Sequence, residues 1–194
     1  LFGVWMYVAQ GSQQALEFST GYLLELSLSM DNVFIFVLLF KRFAIPAKYQ
    51  YRVLFWGVLG ALVMRALMIL IGIKLLNQFH WMIYVFGAFL LITGFRMLFS
   101  MPTEEDIGEP YIVKFLRKYF PVTEKLHGHK FLHKQNNKYY LTPLFVVLVL
   151  VEASDLIFAL DSIPAIFAIT RDPFIVYTSN VFAILGLRSM YFAL

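Results

Sequence analysis

Long apolar stretches alternate along the chain with shorter polar connections, and the apolar stretches have the length of membrane spans. Leu1 to Ala9 is apolar and closes at the uncharged turn Gln10 to Gln14, so it reads as the remnant of a preceding span. Ala15 to Phe40, Val53 to Leu76, Trp81 to Phe99 and Pro143 to Ile169 follow, and Phe174 to Leu194 opens a further one. Each approaches or exceeds the roughly 20 residues that carry a helix across a hydrocarbon core. One long polar connection interrupts the series. It begins acidic (Glu104, Glu105, Asp106, Glu109), as a solvated face, and turns basic from Lys114 to Lys138. Within it, Tyr111 to Phe120 sets apolar residues at helical spacing with cations between them, the pattern of an interfacial helix.

This pattern predicts an all-α polytopic membrane protein. Its parts are the remnant at 1–9, a three-helix unit at 15–99, a loop with an amphipathic segment at 100–142, and a second, truncated unit at 143–194. The chain reads as an excerpt of a longer one. A helix buried in a soluble core would look similar locally, but 60% hydrophobic residues and a mean hydropathy of +0.73 decide for the bilayer. The net charge of +4 does not point to nucleic acid, because the Lys and Arg residues cluster between spans. Lys41 to Arg52 and the long loop are basic, whereas Gln10 to Gln14 and Asn77 to His80 carry no Lys or Arg, which places the basic ends in the cytoplasm. The span with Glu25 then runs inward and the span with Glu152 outward. Cysteine is absent, so disulfides and thiolate metal sites are excluded. No Walker loop, nucleophile elbow or HExxH is present, and neither enzymatic catalysis nor ATP-driven pumping is expected.

The acids inside the spans are the candidate chemistry. From Pro143 to Ile169 there is no Lys or Arg, yet Glu152, Asp155 and Asp161 lie within the stretch. Ala15 to Phe40 holds Glu25 and Asp31 in its interior. Carboxylates at such depth cost several kcal/mol unless they face protein, water or a cation, so their default meaning is function. The two stretches also resemble one another. Glu25 and Asp155 each precede an aspartate by six residues, and Asp31-Asn32-Val33 corresponds to Asp161-Ser162-Ile163. Each copy opens a block, and the blocks are oppositely oriented, which predicts an inverted repeat of three-helix units with the site at its interface.

A six-residue step leaves the two acids of each copy about 120° apart on a straight helix. Either the helices break at the acidic motifs, near Ser27 to Asn32 and near Asp161 to Pro164, or the acids face different partners. Pro164 favours a break. Converging carboxylates without Cys or His suit a hard divalent ion such as Mn²⁺, Ca²⁺ or Mg²⁺, and alternate protonation would let the site exchange H⁺ for metal. Arg65 and Arg188 are candidate counter-ions or gating groups.

Glu25 to Val33 (ELSLSMDNV), Glu152 to Ala165 (EASDLIFALDSIPA) and Ser179 to Arg188 (SNVFAILGLR) resemble the paired signature segments of the TerC family of integral membrane proteins. The resemblance runs from about Gln14 to the end. It implies manganese export from the bacterial cytoplasm, an association with tellurium-resistance operons or, in a thylakoid branch, assistance to membrane-protein assembly. The residues at the motif positions are Glu25, Asp31, Asn32, Asp155, Asp161 and Ser162, with Glu152 close by. The expected function is export of Mn²⁺ by alternating access, with Glu25, Asp31, Asp155 and Asp161 as principal ligands or proton carriers and Asn32, Ser162 and Glu152 completing the shell. Mn²⁺ is cargo, and no tightly bound cofactor is expected. The partners are the ion and the lipid bilayer of a bacterial inner membrane, or of a thylakoid for a plant chain, and homo-oligomerisation stays open. The alternative is a non-transporting scaffold or assembly factor acting through the long loop. Tellurite handling is disfavoured because an oxyanion would meet carboxylates. His127, His129 and His133 have ligand spacing but sit among lysines.

Overall fold

The computed structural model describes residues 1–99, 111–123, 126, 128–135 and 138–193, with the side chains of 31, 32, 96–99, 111 and 187–193 left out of the description. Seven helices and one hairpin are present among them: α1 (Phe2–Gln10), α2 (Ser12–Arg42), α3 (Ala47–Gln78), α4 (Met82–Phe99), α5 (Tyr111–Tyr119), β1 (Leu132–Gln135), β2 (Lys138–Leu141), α6 (Pro143–Phe167) and α7 (Pro173–Ala193). The expected acidic cluster at 104–109, His127 and the side chains of Asp31, Asn32 and Arg188 lie outside what is described.

The helices α2, α3 and α6 are long and apolar enough to cross a bilayer, and α4 and α7 are apolar over shorter described lengths. At 32 residues α3 is about 48 Å long. Its polar ends, with Lys48 and Arg52 at one and Lys74 and Asn77 at the other, therefore project beyond a hydrocarbon core of about 30 Å. The polarity is inverted relative to a water-soluble protein. Leu23, Phe34, Val63, Leu70 and Ile157 are exposed on the outer faces, while Glu25, Arg65 and Asp155 are buried. Only a lipid surround makes that distribution favourable.

Contacts fix the helix directions. Gly57, Gly60 and Gly72 of α3 lie in order against Val151, Glu152 and Phe167 of α6, so these two helices run parallel. Gly21 and Gly186 lie against Ser179 and Leu26 respectively, which makes α2 and α7 parallel. Gly21 also approaches Ile166, whereas Leu39 and Phe40 share a core cluster with Leu144 and Val147, so α2 and α6 are antiparallel. The helix α1 packs its buried Met6 with Phe18 and Ile175, and α4 lies against α6. The helix α7 starts at Pro173 behind Asp172, whose Oδ1 accepts the amides of Phe174 (2.8 Å) and Ile175 (3.3 Å) as an N-cap.

At the end carrying Lys41, Arg42, Lys48 and Arg52, α5 and the hairpin form a cap. Val113, Leu116 and Leu141 join the ends of α2, α3 and α6 in one core cluster. The antiparallel pairing of Leu132 to Gln135 with Lys138 to Leu141 was not expected within the 100–142 loop. Its signal was Asn136-Asn137 between two short runs, a residue type favoured in tight hairpin turns.

One expectation is corrected. Neither acidic helix is broken, since α2 is continuous from Ser12 to Arg42 and α6 from Pro143 to Phe167. Pro164 lies three residues before the end of α6, so it costs the Leu160 carbonyl one hydrogen bond, and too little helix follows it for a bend there to divide the span. The other alternative holds for the described acids of α6: Asp155 and Asp161 face different surroundings.

Candidate cation site

Arg65 is the centre of the interior. It sits on the face of α3 made by Ala61, Arg65, Ile69, Gly72 and Leu76, all buried, and is itself only 1% exposed. Its planar fork grips Asp155 of α6 through both oxygens, Nε to Oδ2 at 3.2 Å and Nη2 to Oδ1 at 2.9 Å. Its Nη1 donates to Glu25 Oε1 of α2 and to Asn180 Oδ1 of α7, the latter at 2.7 Å. Asn180 is oriented in turn by donating from Nδ2 to the Val176 carbonyl at 2.9 Å, and Ser29 Oγ donates to Glu25 Oε1 at 3.3 Å. One guanidinium therefore ties four helices together. A lysine could not do this, because the bidentate grip needs guanidinium geometry.

Beside this knot is a cavity of about 80 Å³. Glu25, Ser27, Ser29, Arg65, Asp161 and Ser162 supply its polar lining. It has room for a partly hydrated ion. Among the described residues, Glu25 Oε2 and Ser162 Oγ are buried without a hydrogen-bond partner, although both residues line the cavity. Orphaned buried oxygens are costly, and a cation would satisfy them. Asp161 is partly exposed and interacts with Thr93 of α4.

Glu152 is held apart from this cavity. Its carboxylate lies over Gly60 of α3, where an added Cβ would stand 2.0 Å from Oε1, so only glycine admits it. Its Oε2 is likewise buried without a hydrogen-bond partner among the described residues.

The structure therefore joins Glu25 and Asp155 through Arg65 and brings Glu25, Asp161 and Ser162 to one cavity, with Glu152 on the α3–α6 seam. Asp31 and Asn32 lie on α2 two and three residues beyond Ser29, with side chains outside the described set. Among the described residues, no three acids or histidines converge into a metal shell. The charge balance is nonetheless uneven. Away from the span ends, four described acids (Glu25, Glu152, Asp155, Asp161) face one described cation, Arg65, a difference of three charges if all are ionised. Sequence reasoning did not single out Thr93; it reads Asn180 as a polar residue of the last span and Gly57, Gly60 and Gly72 as permitting close helix approach, and the structure sets all three glycines against α6. The only local sign of Thr93 was a polar residue within a span.

A family model described as "Integral membrane protein TerC family" matches residues 10–194. The chain is 53% identical over 194 residues to an "Uncharacterized membrane protein STKORF319" of Myxococcus xanthus, covering 100% of this chain and 61% of the relative. It is 52% identical over 198 residues to a "Putative membrane-bound redox modulator Alx" of Photorhabdus laumondii (99% and 62%). It is 52% identical over 196 residues to the protein of the same description in Escherichia coli K12 (98% and 61%). The chain thus spans about three fifths of the length of these relatives. No solved structure matches significantly.

Proposed function

This chain belongs to the TerC family of integral membrane proteins, and from that premise we propose that it forms the ion-conducting core of a divalent-cation exporter, with Mn²⁺ as cargo. The observation that carries the reading is the excess of acid over base lining the 80 Å³ cavity, where Glu25 and Asp161 meet Arg65, whose guanidinium is already shared between Glu25 and Asp155. Arg65 accounts for Glu25 and Asp155. Asp161, together with the unpartnered oxygens of Glu25 and Ser162, is left for a guest of opposite charge. All-oxygen donors favour a hard ion.

In this reading Arg65 is a tethered stand-in for the cargo. It holds Glu25 and Asp155 while the site is empty and must release them for the ion to gather a full shell with Asp161, Ser162 and the motif residues Asp31 and Asn32. A divalent guest lowers the excess of acid from three charges to one, the direction that the low dielectric of the membrane favours. Glu152, seated on Gly60, would take up or release a proton as the charge count changes. The antiparallel setting of α2 and α6 agrees with an inverted repeat, and the basic end would face the cytoplasm of a bacterial inner membrane.

The description of two relatives as redox modulators concerns those proteins. This chain has no cysteine, so an effect of its own on redox state would run through metal movement rather than thiol exchange. Mn²⁺ uptake by everted vesicles is the test. Asp161→Asn should reduce it at least tenfold while the protein remains in the membrane, and wild-type rates in that variant would end the proposal. The rival reading, an assembly scaffold acting through the cap, is not tested cleanly by deleting 103–133, because Val113 and Leu116 cover the core at Leu144 and Val147. Substitution of exposed cap residues such as Tyr119 is the sound comparison.

A further inference from the structure

The cap carries a groove that the cation pathway does not use. It encloses about 490 Å³ between the Val113 and Arg117 flank of α5, the segment from Phe120 to Thr123, Phe43 just past α2, and Pro143 and Val146 at the start of α6. Its depth is fixed by those boundaries. The helix α2 ends at Arg42 and α6 begins at Pro143, so the groove lies where two spans leave the hydrocarbon, at the level of lipid headgroups. Its chemistry is divided in the same sense. Phe43 and Phe120 give an accessible apolar wall over the buried Val113 and Val146, and Arg117 and Thr123 supply polar side chains. No described acid lines it.

The surroundings add to this. Lys114 and Lys118 are exposed on α5, Lys41 and Arg42 close α2, and Phe115 and Tyr119 present exposed rings on the same short helix. Cations and aromatic rings in this arrangement are what an anionic membrane surface attracts.

We propose that the groove is a binding site for an anionic glycerophospholipid, its phosphate on Arg117 and the upper part of an acyl chain against Phe120 and Phe43. A guanidinium binds a phosphate through paired charge-assisted hydrogen bonds, and the apolar wall selects a lipid over a free anion. The site stands independently of the cation reading, since none of its residues belongs to the acidic cavity.

The purified chain in detergent, titrated with phosphatidylglycerol or phosphatidylcholine and read by native mass spectrometry, tests it. One lipid–cation contact predicts a preference of about fivefold for phosphatidylglycerol. Arg117→Gln should abolish that preference and Arg117→Lys should keep part of it. Lys48→Gln, an equal charge change at the same end but outside the groove, should leave it within about twofold. Phe120→Ser should weaken retention of phosphatidylglycerol. Three outcomes overturn the proposal: no preference in the unmodified chain, equal losses in Arg117→Gln and Lys48→Gln, or displacement of the bound lipid by an equal concentration of glycerol 3-phosphate. The first two would mean general surface attraction, and the third a site for soluble anions.

Discussion

Replacing Arg65 with leucine isolates the interaction on which the interior depends. In the wild type the guanidinium holds Asp155 at 2.9 and 3.2 Å and Asn180 at 2.7 Å, and also bonds Glu25. The substitution leaves two carboxylates without their counter-ion, Glu25 fully buried and Asp155 5% exposed. Removing one partner of a buried ion pair costs about 3–5 kcal/mol, and here one removal orphans two acids, so the upper end applies. For a chain of this size each kcal/mol moves Tm by about 2–4 °C, which gives a fall of about 10–20 °C by scanning fluorimetry in detergent. Combining Arg65→Leu with Glu25→Met and Asp155→Leu removes the stranded charges together, and most of the loss should return because apolar replacement of a whole buried ion cluster is often close to neutral. Transport should stay absent in the combined variant. A single variant within about 2 °C of wild type, or a combined variant no more stable than the single one, would refute the assignment of Arg65 as the structural counter-ion.

Two further substitutions on α3 form a contrast. Gly60→Ala sets a methyl 2.0 Å from Glu152 Oε1, but the carboxylate is the far end of a flexible chain, so Tm should change by only a few degrees while the carboxylate leaves the seam and Mn²⁺ uptake falls. Gly72→Ala sets a methyl 2.6 Å from the Phe167 ring, which has less freedom to yield, so a loss of about 1–3 kcal/mol is expected, measurable by the same melting assay and relieved by adding Phe167→Leu.

Much of the architecture was legible in the sequence because a bilayer imposes one strong requirement, a run of apolar residues of spanning length. The expected limits of the Pro143 span and of the two spans before the loop agree with α6, α3 and α4 to within a few residues, the largest difference being at the start of α3. There Lys48, Gln50 and Arg52 look like loop but continue the helix after Pro46. The acids were legible for the same reason, as residues that lipid does not tolerate. Their pairing was not. Arg65 meets partners 40, 90 and 115 residues away, and no local pattern encodes such separations. The angular argument was sound for Asp155 and Asp161, which do have different surroundings, but the inference from Pro164 to a break failed because the proline falls in a terminal turn. The hairpin escaped because its strands are four residues each, too short for an alternating pattern to stand out.

The four-way grip of Arg65 constrains how the molecule can move. A guanidinium tied to α2, α6 and α7 from α3 behaves like the hub of a wheel, so separations across it stay nearly fixed for as long as the ties last. Movement that preserves the hub can only swing the rim, where Gly21 meets Ser179 at one level and Gly57 meets Val151 at another. Spin labels at rim positions should then report changing distances while labels flanking residue 65 stay still for as long as the four ties hold.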